Sequence, residues 1–150
     1  MNPHFQQLCG YRPNPENDYE VRLDGDLIFE NDDCIIRVYA GFASDGGSLP
    51  RLTWTLLGIT PFDTRCVYAF FIHDFLYRSH LLSQAKSDAI LAEILTIPPS
   101  PNAVQRWLIW ANLRIWGWKA YNGKTQTEIS EACKFGEITR KRTLAPMVIK

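Results

Sequence analysis

The segment FFIHDFLY, residues 70–77, sets a histidine beside an aspartate in the most hydrophobic stretch of the chain, with a tyrosine four residues after the histidine. An imidazole suits general acid–base work near neutral pH, and a neighbouring carboxylate can bind a cation or steer a ring. On a helix, positions i and i+4 share a face, so His73 and Tyr77 point the same way and Asp74 lies about 100° round. Burying an ionised carboxylate without a partner is costly, so Asp74 must be paired, hydrogen-bonded, metal-bound or open to a cleft.

Three places offer partners. The loop ASDGGSLP supplies Asp45, Ser48 and main-chain groups, and Gly46-Gly47 lets the backbone turn tightly and approach another group closely. The segment KSDAIL supplies Asp88, and LRIWGW supplies Arg114, whose fork suits a carboxylate. Together these residues point to a metal-dependent hydrolase. Asp45, Asp74 and Asp88 are the candidate ligands of a divalent ion that activates water, His73 is ligand or general base, Tyr77 and Asp88 orient the set, and Arg114 balances charge. Carboxylates with one imidazole suit zinc, manganese, magnesium or calcium, and residue types do not choose among them. Ser48 joins the catalytic candidates as a hydroxyl in the same loop, although DGGSLP is not a G-x-S-x-G elbow and no second motif completes a triad. His80, seven residues after His73, reads either as a second imidazole on that face or as a helix-end cap.

Each residue has a plainer reading. His73, Asp74 and Tyr77 can form a buried hydrogen-bond network that ties their helix to the SDGGS loop and to Arg114 with no ligand at all. Asp45 can cap the segment that starts at Leu49-Pro50.

The elements that position these groups divide the chain in two. Residues 1–18, with prolines at 3, 13 and 15, read as an irregular arm. YEVRLDGDLIFE alternates around Asp24-Gly25, a hairpin signal, and NDDCIIRVYAGF reads as a third strand after a turn at 31–33, giving a small antiparallel sheet over about 19–42. A helix from about Thr64 to Ser79, capped by Asp63, is apolar on every side and so central. Ser83 or Ser87 caps a second helix through DAILAEIL, ended by TIPPSPN, and a third runs from AVQRWLIW to Gly123. The basic tail, 124–150, reads as partly helical. The fold expected is a single α+β domain over 1–150, a three-stranded N-terminal sheet packed on three helices.

Equal numbers of basic and acidic residues, 16 each, leave no overall field that draws in nucleic acid or anionic membrane. Cys9, Cys34, Cys66 and Cys133 make no C-x-x-C pair, which excludes a zinc ribbon or redox motif and fits reduced thiols. No signal peptide and no membrane span are read, which points to a cytoplasmic setting. Trp107, Trp110, Trp116 and Trp118, with Arg106, Arg114 and Lys119, read as core or as a protein contact rather than a base-stacking groove.

FASDGGSLPR, IHDFLYR, KSDAIL and LRIWGW, in this order, resemble a phage and prophage family named domain of unknown function 1353. The positions that carry the likeness are Phe42, Ser44, Asp45, Ser48, Pro50, His73, Asp74, Leu76, Tyr77, Asp88, Arg114 and Gly117, with Ser87 where the pattern has alanine. It covers about residues 20–120 and implies a phage or prophage origin, in host cytoplasm or virion, more firmly than an activity. The alternative to a hydrolase is therefore a virion, tail or assembly component, or a host-modulating binder, meeting other virion proteins through its Trp-rich helix. Two further likenesses are local. Histidine-aspartate-x-x-tyrosine beside a glycine-rich loop is similar to phospholipase A2, where histidine is the base and aspartate binds calcium, but that family's disulfide scaffold is absent. Adjacent histidine and aspartate also resemble HD-type phosphohydrolases, whose upstream histidine has no counterpart here except His4 in the arm.

Overall fold

A computed structural model describes residues 2–46, 51–60 and 62–141, the side chains of 51–53 apart. Its α+β architecture holds strands β1 (His4–Gln7), β2 (Tyr11–Asn14), β3 (Asn17–Leu23), β4 (Leu27–Glu30), β5 (Cys34–Val38) and β6 (Ala43–Ser44). Helices α1 (Arg51–Leu57), α2 (Val67–Ser79), α3 (Gln84–Ile94), α4 (Ala103–Asn122) and α5 (Gln126–Cys133) follow, and β7 (Gly136–Arg140) returns to the sheet.

The strands form two antiparallel sheets, β1-β4-β5-β7 and β2-β3-β6, which corrects the expected three-stranded sheet. The arm expected to be irregular supplies β1, β2 and the start of β3. Pro13 is accommodated because β2 is an edge strand, where a missing N–H costs no ladder bond. Asp24-Gly25 is a crossing between sheets and not a hairpin turn. The groups that a β3–β4 pairing would use are already engaged, since Leu23 N–H donates to Phe42 O at 3.0 Å, Gly41 N–H to Leu23 O at 2.9 Å and Asp24 N–H to Gly10 O at 2.9 Å. The turn at 31–33 does join a hairpin, β4–β5, because Asn31 Oδ1 accepts from the N–H groups of Asp33 and Cys34, each at 3.0 Å.

Five helices, not three, stand among the described residues. α2 is the central one, with Phe70, Phe71, Ile72, Phe75 and Leu76 essentially sealed, as its all-round apolar sequence requires. It starts at Val67 and not at Thr64. Asp63, expected to cap it, spends its carboxylate on the backbone N–H and guanidinium of Arg65, and only its carbonyl meets the helix, accepting from Val67 N–H at 2.9 Å. Ser83 caps α3 through Lys86 N–H, and Asn102 with Gln105 closes a capping box on α4. The tail is part helix, α5, and part strand, β7. Gly136 admits β7 to the sheet, because a Cβ there would overlap Arg37 O and lie 2.7 Å from the Phe75 ring. Residues 142–150 of that tail lie outside the described residues. The four cysteines are unpaired, and burial, then Asp63, pushes the Cys66 thiol up to about 12, far from a reactive thiolate. Among the described residues no helix is long and apolar enough to cross a membrane.

Candidate functional site

His73 and Tyr77 sit one turn apart on α2 and face α3 and α4. Both reach Asp88 of α3: the imidazole Nε2 lies 2.9 Å from Oδ1, and the Tyr77 hydroxyl donates to the same oxygen at 2.6 Å. From α4, Arg114 Nη1 donates to Oδ2 at 2.9 Å. One carboxylate, its side chain 1% exposed, thus joins three helices. Burial works to raise its pKa, but the hydrogen bonds from His73, Tyr77 and Arg114 outweigh that and leave it below the usual carboxylate range. An ionised Asp88 is acceptor only, so Nε2 carries the proton that fills the 2.9 Å contact. In the neutral ring Nδ1 is then the lone-pair nitrogen.

Tyr77 packs its ring 4.0 Å from the imidazole centroid and meets Tyr121 edge-on at 5.4 Å. Burial, reinforced by Asp88, raises its hydroxyl pKa well above the ordinary phenol value, so the group is a donor and not a phenolate. Gly117 makes room for it: a Cβ there would stand 2.6 Å from the Tyr77 oxygen. The glycine of LRIWGW is a packing residue for the tyrosine of HDFLY.

Asp74 lies on the other side of α2, toward β6 and the loop after it. Burial pushes its carboxyl above the usual range, the Asp45 charge adds to this, and Arg78, Ser44 and His73 pull the other way. Arg78, one turn along α2, donates to Asp74 Oδ2 and to Ala43 O at 3.0 Å each and lies over the Phe42 ring. Ser44 Oγ accepts from Gly46 N–H at 3.1 Å, and Gly46 has φ of +80°, which a side chain would resist. A cleft of about 780 Å³ opens on the far side of Arg78, lined among others by Glu20, Phe42, Lys124 and Glu128.

The residues singled out in the sequence thus fall into two linked groups. His73, Tyr77, Asp88 and Arg114 are in direct contact, while Asp74 and Asp45 lie close enough for their charges to act on one another. Ser48, with 47–50, lies outside the described residues. His80 is turned away from the cluster: at φ of +54° it ends α2, donates from Nε2 to Tyr121 O at 2.8 Å and stacks on the Tyr121 ring. Arg78 was not singled out, although its place four residues after Asp74 is the spacing of a helical ion pair. No set of three or more His, Cys, Asp or Glu side chains converges as a metal site among the described residues. With Asp88 saturated and Nε2 facing it, the carboxylates on the Asp74 side of α2 are Asp74, which is paired with Arg78, and Asp45. That set fits a hard cation such as calcium or magnesium better than zinc.

The profile of a family described as protein of unknown function, DUF1353, matches residues 21–113, so the chain belongs to that family. No curated protein matches, and no solved structure does.

Proposed function

We propose that this member of the DUF1353 family is a hydrolase in which His73 draws a proton from water at Nδ1 while Asp88 holds the ring from Nε2. The observation that carries this reading is the pairing of one imidazole nitrogen with a buried, charge-compensated carboxylate, which fixes the orientation of the ring. A general base needs that tautomer and that orientation. Tyr77 and Arg114 keep Asp88 ionised, and an ionised Asp88 favours the imidazolium that forms as the proton arrives. Asp74 and Asp45 would hold a hard divalent cation, which would supply a positive charge for the oxyanion that develops on the substrate. Asp88 takes the orienting part in this account and not that of ligand. Ester, phosphoester and peptidoglycan bonds are the substrate classes to screen, in the phage or prophage setting, host cytoplasm or virion, that the sequence likeness implies.

The test is turnover on a panel of those substrates with calcium or magnesium, for wild type, His73→Gln and Asp74→Asn. Turnover that falls by about 10²–10⁴-fold in His73→Gln, and that loses its cation dependence in Asp74→Asn, is the expected result. Equal rates in wild type and His73→Gln contradict it.

One observation favours a second reading, a non-enzymatic virion or assembly component. Asp88 already gathers donors from two other helices, and among the described residues no sealed side-chain nitrogen or oxygen lacks a partner. A network satisfied in this way needs no ligand. On that reading a purified virion carries the protein, and loss of His73 changes stability alone.

A further inference from the structure

The cleft of about 780 Å³ beyond Arg78 has no part in the hydrolytic reading. Alternation along β3 turns Val21 and Leu23 to the core and Glu20 and Arg22 to this cleft. The other lining element is α5, with Lys124 just before its cap and Thr127, Glu128 and Glu131 on it. Phe135 adds an aromatic surface, 36% exposed and edge-on to Phe42.

The charges in the lining are not equally available. Glu20 accepts from Asn14 Nδ2 at 2.9 Å and lies 3.8 Å from Arg78. Glu128 accepts from Thr125 N–H at 2.7 Å as half of a capping box, and Glu131 takes Lys134 Nζ at 2.6 Å. Arg78 itself is held by Asp74 and Ala43 O. Arg22 and Lys124 differ: both are half-buried, and among the described residues neither side chain has a hydrogen-bond or ion-pair partner. Asp24, the acid nearest Arg22 along β3, is taken by Arg12. Cations partly withdrawn from water gain most from a carboxylate met directly, through charge-assisted hydrogen bonds. The one carboxylate of the lining without a partner among the described residues is Glu16, at the exposed rim.

We propose that this cleft binds a short peptide with free ends, its carboxylate on Arg22 and Lys124, its amino group toward Glu16 and an apolar side chain against Phe135. Uncommitted charges of both signs around one aromatic surface are the complement of a zwitterion with an apolar body, and the volume is that of a small-ligand site. Nucleic acid is the poorer occupant, because four glutamates in the lining repel a run of phosphates. The inference does not depend on the hydrolytic reading.

The experiment is titration of isotope-labelled protein with the tripeptide alanyl-phenylalanyl-alanine, followed through the backbone amide signals by NMR. Saturable shifts at Arg22, Gly41, Lys124 and Thr127 are expected. Amidating the peptide's carboxylate should weaken binding by about tenfold, and acetylating its amino group by about threefold. Arg22→Gln and Lys124→Gln should each weaken it by about fivefold. Neither side chain holds another group, so amide signals outside the cleft should match wild type in both variants. No saturable shift in the cleft overturns the proposal, as does equal affinity for the free and amidated peptides or binding unchanged in both variants. Inorganic phosphate that binds more tightly than the peptide, and is lost in the same variants, also overturns it and assigns the cleft to a phosphorylated ligand.

Discussion

Replacing His73 with glutamine separates the two things its imidazole does. The Gln Nε2 can stand where the imidazole Nε2 stands and still donate to Asp88, but nothing replaces the Nδ1 lone pair. The melting temperature of His73→Gln should therefore stay close to wild type, whereas His73→Ala, which leaves the buried carboxylate one donor short, should lose about 1–3 kcal/mol. Asp74 makes the opposite prediction. Its carboxyl sits above the usual range because of burial first and the Asp45 charge second, so the folded protein binds its proton more tightly than the unfolded chain. Stability then falls as pH rises through the Asp74 value, and Asp74→Asn should melt higher than wild type at neutral pH in chelator-containing buffer. The gap should close as pH drops and wild-type Asp74 becomes protonated; a variant that melts lower at every pH contradicts this. At this scale spacing alone put His73 and Tyr77 on one face, and burial demanded a partner for Asp74. The division of labour between Asp74 and Asp88 was not, because nothing in the spacing says which carboxylate the imidazole will choose.

Helices α2 and α4 meet through the fit of Tyr77 over Gly117. Gly117→Ala should displace the hydroxyl from Asp88 and cost about 1–3 kcal/mol, against the helix-propensity gain that alanine ordinarily brings. In a Tyr77→Phe background the oxygen is gone and the nearest ring atoms lie 3.4 Å from the new methyl, so the same change should be neutral or stabilising. A double-mutant cycle by chemical denaturation checks this, and additive effects would contradict the packing account. Helices α2, α3 and α4 followed from their apolar patterns and breakers, with Ser83 a cap read from the sequence, and strands β3, β4 and β5 followed from alternation. Helix α1 and strands β1, β2 and β6 did not. β1, β2 and β6 are two to four residues long, too short for alternation to register, and pairing to β2 and β6 drew β3 away from the Asp24-Gly25 hairpin that the local turn chemistry favours.

Across the whole molecule, Asp88 ties α2, α3 and α4 together with a charge that survives burial only because three donors meet it. Its pKa is depressed, so its contribution is present above the ordinary carboxylate range and is lost as pH falls through the lowered value. Asp88→Asn should be less stable than wild type by about 2–4 kcal/mol at neutral pH, and the difference should shrink toward zero in acid, where wild type is protonated too. Parallel pH-dependent melts would show it, and a gap that persists in acid would contradict it. The assembly of this centre from residues 73, 77, 88 and 114 was partly legible in the chain: all-round apolarity implied the central position of α2, and antiparallel packing of the helices would bring Asp88 and Arg114 near it. The tryptophans of α4 were legible only as a stripe at helical spacing, which a core helix would also show; exposure distinguishes the two.

The central claim, that His73 is a base with an available nitrogen and not a sealed staple, is tested most directly by site-resolved acylation with diethyl pyrocarbonate, read by mass spectrometry. His4 and His80 serve as internal references. The account predicts that His73 is acylated in the wild-type fold and protected when the site is filled by substrate or product. A His73 that stays unmodified under conditions that acylate His4 and His80 would contradict it and leave the cluster as a structural tie between three helices.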